Sequence, residues 1–274
     1  MKPQTLVLGP GGMRGCMEIG GLLALERFDL LSEINRVVGI SIGSLIGLLW
    51  CLNYSPDEIL VFFCETDIRD VLGSITLEGI REGKGLIPIT FLQEGLKKKV
   101  LDKLGFVPSM SQMYSLTKRN FVAIATEENS EEPVFIDETT FPDLPVVDAV
   151  LMSTNIPIFF HQIMYQGKVY SDGASTAPYP VDFYQDVPLL GMVIFTDVEQ
   201  GTTSGRIRKV LQTSVNRLIR LSIERCSESC RNLILKTKYS DTTGISMTTE
   251  DKLFLFKDGF EQVFNQIQEC VSEI

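Results

Sequence analysis

The feature that most constrains this chain is the run Val37-Val38-Gly39-Ile40-Ser41-Ile42-Gly43, which passes directly into the apolar, small-residue segment 44–50. Residues 34–40 read as a buried strand, and 42–52 as a helix in which Gly43, Ser44 and Gly47 allow close packing. Gly-x-Ser-x-Gly at such a junction is the pattern of a nucleophile elbow. The strand turns sharply into the helix, the serine takes a strained backbone conformation with its hydroxyl projecting, and the flanking glycines keep neighbouring atoms clear. The helix N-terminus behind it favours a developing negative charge. Taken alone, the pattern also fits an ordinary glycine-punctuated turn, so its meaning depends on the rest of the chain.

A second glycine-rich junction stands near the N-terminus. Residues 6–8 form a short buried strand that runs into Gly9-Pro10-Gly11-Gly12-Met13-Arg14-Gly15, followed by a helix over 16–28. A dinucleotide fingerprint needs glycine where Arg14 stands, and a phosphate-binding P-loop needs a Lys-Ser/Thr pair that the loop lacks. The remaining chemistry is an oxyanion hole: Gly11 and Gly12 can bring bare backbone N–H groups against a tetrahedral intermediate, whereas Pro10 cannot donate.

Further along, Ser55-Pro56-Asp57-Glu58 reads as a capped helix start, with the helix continuing through 62. Residues 70–90 are glycine-rich and irregular, and 91–104 is an amphipathic helix. Strands are expected at 121–125 and 134–136, and a helix at 146–152 that stops before Pro157. Residues 163–170 form a hairpin around Gln166-Gly167 that delivers Ser171-Asp172-Gly173-Ala174 at a strand end. A core strand at 189–195, a long helix over 207–235 and a terminal helix over 260–271 complete the reading. Strands alternating with helices imply an α/β fold with a mostly parallel sheet covered on both faces and a site at the strand C-terminal ends. With no repeat or linker, residues 1–274 read as one domain, the motifs lying within 5–200 and a helical region over 205–274.

The net charge of −10 opposes nucleic acid as a partner. Residues 206–238 run against that balance, with nine Lys/Arg against Glu224 and Glu228; this reads as a solvated helix face, and as the one stretch able to favour an anionic bilayer. Six scattered cysteines without metal-binding spacing suggest buried reduced thiols and a cytosolic setting, and a single histidine makes a metal site improbable. The N-terminal apolar run is too short for a signal peptide, and no segment approaches the roughly 20 apolar residues of a membrane span. A soluble or peripheral cytoplasmic protein is expected.

Three elements thus recur in order: a glycine-rich loop containing Arg14, a serine elbow, and Asp-Gly-Ala at a hairpin end. Together they resemble the patatin-like phospholipases. Gly11-Gly12-Met13-Arg14-Gly15 matches that family's G-G-x-R/K-G, Gly39 to Gly43 its G-x-S-x-G, and Asp172-Gly173-Ala174 its D-G-G/A. The stretch 148–157 looks like the helix and proline preceding the family's aspartate, and 125–136 like its central hairpin. Pro10 stands where the family often has glycine, and His161 where an apolar residue is usual.

The resemblance implies a patatin-like three-layer architecture and hydrolysis of a phospholipid or other acyl-lipid ester by a Ser–Asp dyad. Ser41 would attack the carbonyl and Asp172 would accept its proton. The N–H groups of Gly11, Gly12 and Ile42 would hold the oxyanion, and Arg14 would fix the loop or meet a head-group phosphate. Gly15, Gly39, Gly43 and Gly173 would support these motifs. The resemblance implies no metal or cofactor, and only transient peripheral contact with a membrane. Two rivals remain open at this level: a Ser-His-Asp α/β-hydrolase with His161 as base, and a lipid-binding module that keeps the fold without catalysis.

Overall fold

Strand β1 (Thr5–Leu8) is buried along its whole length, because its side chains enter two different cores. Leu6 and Leu8 join the larger hydrophobic cluster, while Val7 joins a second one with Val38, Ile40, Val122, Ile124 and Val193. The same alternation runs through β2 (Arg36–Ile40), β3 (Asn120–Glu127) and β7 (Leu189–Thr196), as expected for strands buried on both faces. The computed structural model describes residues 2–65, 89–157, 159–184, 186–196, 203–239 and 247–272. The irregular segment expected at 70–90 lies, up to residue 88, outside the described residues.

The sheet has eight strands in the order β5 (Ile163–Tyr165), β6 (Lys168–Asp172), β3, β2, β1, β7 and β8 (Cys230–Thr237), with β4 (Glu132–Ile136) paired to β3. Strands β3, β2, β1, β7 and β8 are mutually parallel. The strands β4, β5 and β6 pair antiparallel. The hairpin between β5 and β6 turns at Gln166 and Gly167, whose φ angles of 49° and 76° suit a tight two-residue connection.

Helices cover both faces. Helices α1 (Cys16–Arg27), α2 (Ile42–Cys51), α3 (Pro56–Glu65), α4 (Ile89–Leu104), α5 (Met110–Thr117) and α6 (Val146–Thr154) send buried side chains into the larger cluster. So does α8 (Thr249–Ser272), whereas α7 (Thr203–Arg225) supplies Ile219 to the second cluster. Helix α8 crosses α1 at a glycine contact: a Cβ on Gly20 would lie 1.9 Å from the Phe256 carbonyl oxygen, and one on Gly259 would lie 2.1 Å from that of Met17. Among the described residues no helix is long and apolar enough to cross a membrane.

Two expected helices are corrected and one helix is added. The long helix read over 207–235 ends at Arg225, and Cys230–Thr237 is instead a parallel strand beside β7. The terminal helix starts at Thr249, well before 260. Helix α5 was not anticipated, although its capping box, Ser109 with Gln112, is a legible start signal. Of the six free cysteines, Cys16 and Cys51 are buried, but Cys270 is exposed.

Candidate active site

The geometry of the site follows from how β3 divides its edges. Residues 123 and 124 pair with both β2 and β4, and 125–127 pair with both β4 and β6. A strand has only two edges, so β4 holds one, and β2 followed by β6 occupies the other. In this register Ile40 opposes Ile124, and Asp172 opposes the next residue, Ala125. The antiparallel strand therefore brings Asp172 to the point where the chain leaves β2 at Ser41.

Ser41 has φ 54° and ψ −126°, a left-handed conformation costing a non-glycine residue about 1–3 kcal/mol. Packing enforces this turn. A Cβ on Gly39 would lie 2.3 Å from Ser44 Cα, and one on Gly43 2.3 Å from the Leu8 carbonyl oxygen, so the first turn of α2 can press against β1 and β2 only if both are glycine. The Ser41 N–H donates to Ser153 Oγ (3.0 Å), and its carbonyl accepts from the Ser44 N–H (2.9 Å) and hydroxyl (2.6 Å). The strained residue is thereby held at both backbone ends.

Asp172 is clamped in the same way. Its N–H donates to the Asn155 carbonyl (2.8 Å), and its carbonyl accepts from Thr126 Oγ1 (3.1 Å) and Ser175 Oγ (2.8 Å). Asn155 is anchored in turn by its Nδ2, which donates to the Tyr170 carbonyl at 2.8 Å. Asp172 Oδ1 accepts the Ala174 N–H at 2.8 Å, while Oδ2 is buried with no hydrogen-bond partner. Burial pushes this carboxyl up to about 6, and the nearby Ser41 hydroxyl and the Ala174 N–H pull it only partly back. The Ser41 hydroxyl is thus felt at the carboxyl, although Oδ2 itself has no formed hydrogen bond.

The glycine-rich loop lies over β1. Gly12 has φ 56°, and a 3₁₀ turn over Gly12–Gly15 leads into α1. Arg14 is buried: its Nε donates to the Gly11 carbonyl at 3.0 Å and its Nη1 to Thr196 Oγ1 at the end of β7. These contacts tie Arg14 to its own loop and to the end of β7. A Cβ on Gly15 would lie 3.0 Å from the Ile42 side chain, so loop and elbow are in contact. Among the described residues, the N–H groups of Gly11, Gly12 and Ile42 donate to no protein acceptor.

The structure therefore brings Ser41 and Asp172 together, joins the Gly11–Gly15 loop to Ile42 through Gly15, and seats Gly173 so tightly that a Cβ would come 2.3 Å from the Ile124 carbonyl oxygen. His161 is half-buried and, among the described residues, hydrogen-bonds neither Ser41 nor Asp172. Sequence reasoning missed Ser153, Asn155, Thr126 and Thr196. Ser153 and Asn155 sit within 148–157, the stretch singled out before the aspartate, but nothing in their spacing announces a backbone clamp.

A sequence profile of the family described as patatin-like phospholipase matches residues 6–183. Among relatives, a protein of Acanthamoeba polyphaga mimivirus is 21% identical over 98% of this chain and 95% of its own length. A probable lipid hydrolase of Invertebrate iridescent virus 6 is 29% identical over 66% of this chain and 64% of its own length. Among solved structures, VipD from Legionella pneumophila superposes with a TM-score of 0.64 at 13% identity, covering 98% of this chain and 67% of VipD. The effector ExoU gives a TM-score of 0.55 at 16% identity, and the chain spans 53% of it. These likenesses support the fold.

Proposed function

The chain belongs to the patatin-like phospholipase family, and from that premise we propose that it is a serine acyl hydrolase cleaving phospholipid or related acyl-lipid esters through a Ser41–Asp172 dyad. The observation that carries this reading is the buried Asp172 carboxyl, raised to about 6 and placed beside a serine in a strained elbow. A carboxylate of ordinary strength is a poor base for a hydroxyl; a desolvated one is a better base and is still ionised at neutral pH.

In this mechanism Ser41 Oγ attacks the ester carbonyl carbon while its proton passes to Asp172 Oδ2. The carbonyl oxygen becomes an oxyanion facing the N–H groups of Gly11, Gly12 and Ile42. Collapse of the intermediate expels the lipid alcohol, which takes the proton from Asp172 and leaves an acyl ester on Ser41. A water then gives its proton to Asp172 and attacks that ester; collapse breaks the acyl–Oγ bond, Ser41 Oγ takes the proton back from Asp172, and the fatty acid departs. Contact with a membrane is peripheral and transient. We read residues 1–274 as one such domain; the crossing of α8 over α1 and the seat of β7 between β1 and β8 support that reading.

The test is labelling with a long-chain fluorophosphonate followed by mass mapping. Modification at Ser41, suppressed in Asp172→Asn and retained in His161→Gln, is the expected result. Loss of labelling in His161→Gln with retention in Asp172→Asn would transfer the base to the histidine and overturn the dyad. A panel of diacyl and lysophospholipids with product analysis then fixes the position cleaved.

A further inference from the structure

A cleft of about 510 Å³ opens between α7 and the ends of β7 and β8. In the strand order, β1 and its glycine-rich loop separate it from the elbow, so it stands two strand spacings, roughly 10 Å, to the side of β2. Every residue lining it lies beyond position 183, outside the segment that the family profile matches.

Its composition is two-sided. Phe195, Ile223 and Ile234 give an apolar, half-buried wall, and Arg220 and Lys236 stand exposed beside it. The register fixes part of this arrangement: Phe195 opposes Lys236, and Val193 opposes Ile234, so the cation and the aliphatic side chain emerge two residues apart on one edge strand. The Arg220 guanidinium lies 5.6 Å from the Phe195 ring centroid, which holds the charge at the lip of the apolar wall. Glu224 also lines the cleft, but its carboxylate is engaged by Arg217 at 3.8 Å. Among the described residues neither Arg220 nor Lys236 has a carboxylate partner.

Two cations without carboxylate partners over an apolar wall, in a chain of net charge −10, are complementary to an anionic amphiphile. The volume falls within the roughly 300–1,000 Å³ of small-molecule sites, enough for a single acyl chain. We propose that this cleft is a second lipid site, separate from Ser41, that takes a free fatty acid with its carboxylate between Arg220 and Lys236 and its chain over Phe195, Ile223 and Ile234. The choice of a carboxylate head rests on the acyl-hydrolase reading, because ester hydrolysis releases that acid beside the cleft.

The probe is cis-parinarate, a fluorescent fatty acid, titrated into the full chain with Ser41 capped by a long-chain fluorophosphonate so that the catalytic acyl site is filled. The Ser41→Ala protein is titrated in parallel, with laurate, dodecyl phosphate and dodecanol as competitors. Saturable binding displaced by laurate, with dodecanol at least tenfold weaker, is expected. The double variant Arg220→Gln/Lys236→Gln should weaken binding by about tenfold or more, the scale of a lost charged hydrogen bond, and leave the rate of Ser41 labelling unchanged. Ile223→Trp, which fills the cleft, should abolish binding and keeps the test independent of how the double variant folds. Unchanged affinity in these variants, or equal competition by dodecanol, would overturn the proposal, as would tighter binding of dodecyl phosphate than of laurate. Failure of Ser41 to label while parinarate still binds would count against the hydrolase reading and leave the cleft standing.

Discussion

Replacing Asp172 by asparagine should inactivate the protein and at the same time stabilise it, and the stabilisation should depend on pH in a defined direction. The carboxyl titrates at about 6 in the fold against 3.8 as an ordinary aspartate, with burial as the main cause. A group that holds its proton more tightly when folded costs stability as the pH rises through the interval between those two values. At about 1.4 kcal/mol per pH unit, moving the carboxyl from 3.8 to about 6 corresponds to about 3 kcal/mol, absent below pH ~4 and complete above pH ~7. Asp172 is 6% exposed, so little of this is screened by solvent. Asparagine has almost the same shape, can keep the Oδ1 contact with the Ala174 N–H, and does not titrate. Urea unfolding of both proteins from pH 4 to 8 should therefore give a stability difference that grows in favour of Asp172→Asn by about 3 kcal/mol, while its esterase activity is lost throughout. The wild-type kcat/KM should fall as the pH drops through about 6. A stability difference that stays flat across this range would show that Asp172 is not desolvated, and the account of its basicity would fail with it.

Ser41→Gly should abolish turnover and raise stability by about 1 kcal/mol, because φ 54° with ψ −126° is strained for serine and open to glycine; equal or lower stability in thermal unfolding would place the strain elsewhere. Gly12→Ala puts a Cβ on a residue at φ 56° inside the proposed oxyanion hole, so kcat should fall by something like 10²-fold at little cost in KM, and a normal kcat would locate the oxyanion on other donors. Glu18 is fully buried at the start of α1, and burial holds its pKa well above the usual carboxylate range, the Gly9 backbone pulling it only partly back. Glu18→Gln should therefore match the wild type in stability at acidic pH and exceed it progressively as the pH rises from the ordinary carboxylate value toward that elevated one; a difference independent of pH would mean that the carboxyl is hydrated.

The parts of the site that were legible in the sequence are those in which side chains are excluded. Gly39, Gly43 and Gly173 each approach another backbone so closely that a Cβ would come within 2.3 Å of it, and such positions leave a fixed letter in a fixed place. The contacts that hold Ser41 and Asp172 are legible only in three dimensions. Ser153 meets the Ser41 N–H across 112 residues, and Thr196 meets Arg14 across 182, and serine or threonine at a helix or strand end has many other uses. Strand β8 was hidden for a related reason. Leu233 and Leu235 alternate in the manner of a strand, but they follow the apolar pattern of α7 with no glycine or proline between them, only the turn at Ser227 to Ser229. Helix α8 runs through Gly259, a residue that local propensity disfavours inside a helix and that here lets α8 lie against α1.

The division of β3 also gives a physical reason why the proposed pair, Ser41 and Asp172, could act without the third residue of a triad. In a triad the carboxylate acts through an imidazole, which spans several ångströms and supplies a base near neutrality. Here β6 follows β2 along the same edge of β3, so Asp172 is one register position beyond Ile40, beside the point where the chain turns at Ser41. In the proposed dyad this proximity removes the need for a spacer but leaves an intrinsically weak base. Burial compensates: raising the carboxyl to about 6 recovers about 3 kcal/mol of proton affinity, and it also brings the aspartate into the range where a histidine would operate. The same desolvation charges the fold an equal amount at neutral pH, and the clamps on the Asp172 backbone from Asn155, Thr126 and Ser175 keep the carboxyl from relaxing toward water. Weakening one clamp should therefore lower the pKa of Asp172 and shift the acidic limb of the rate profile downward, with a smaller rate at its plateau. Thr126→Val, which removes one hydroxyl donor and keeps the shape, is the variant in which to look for that paired change.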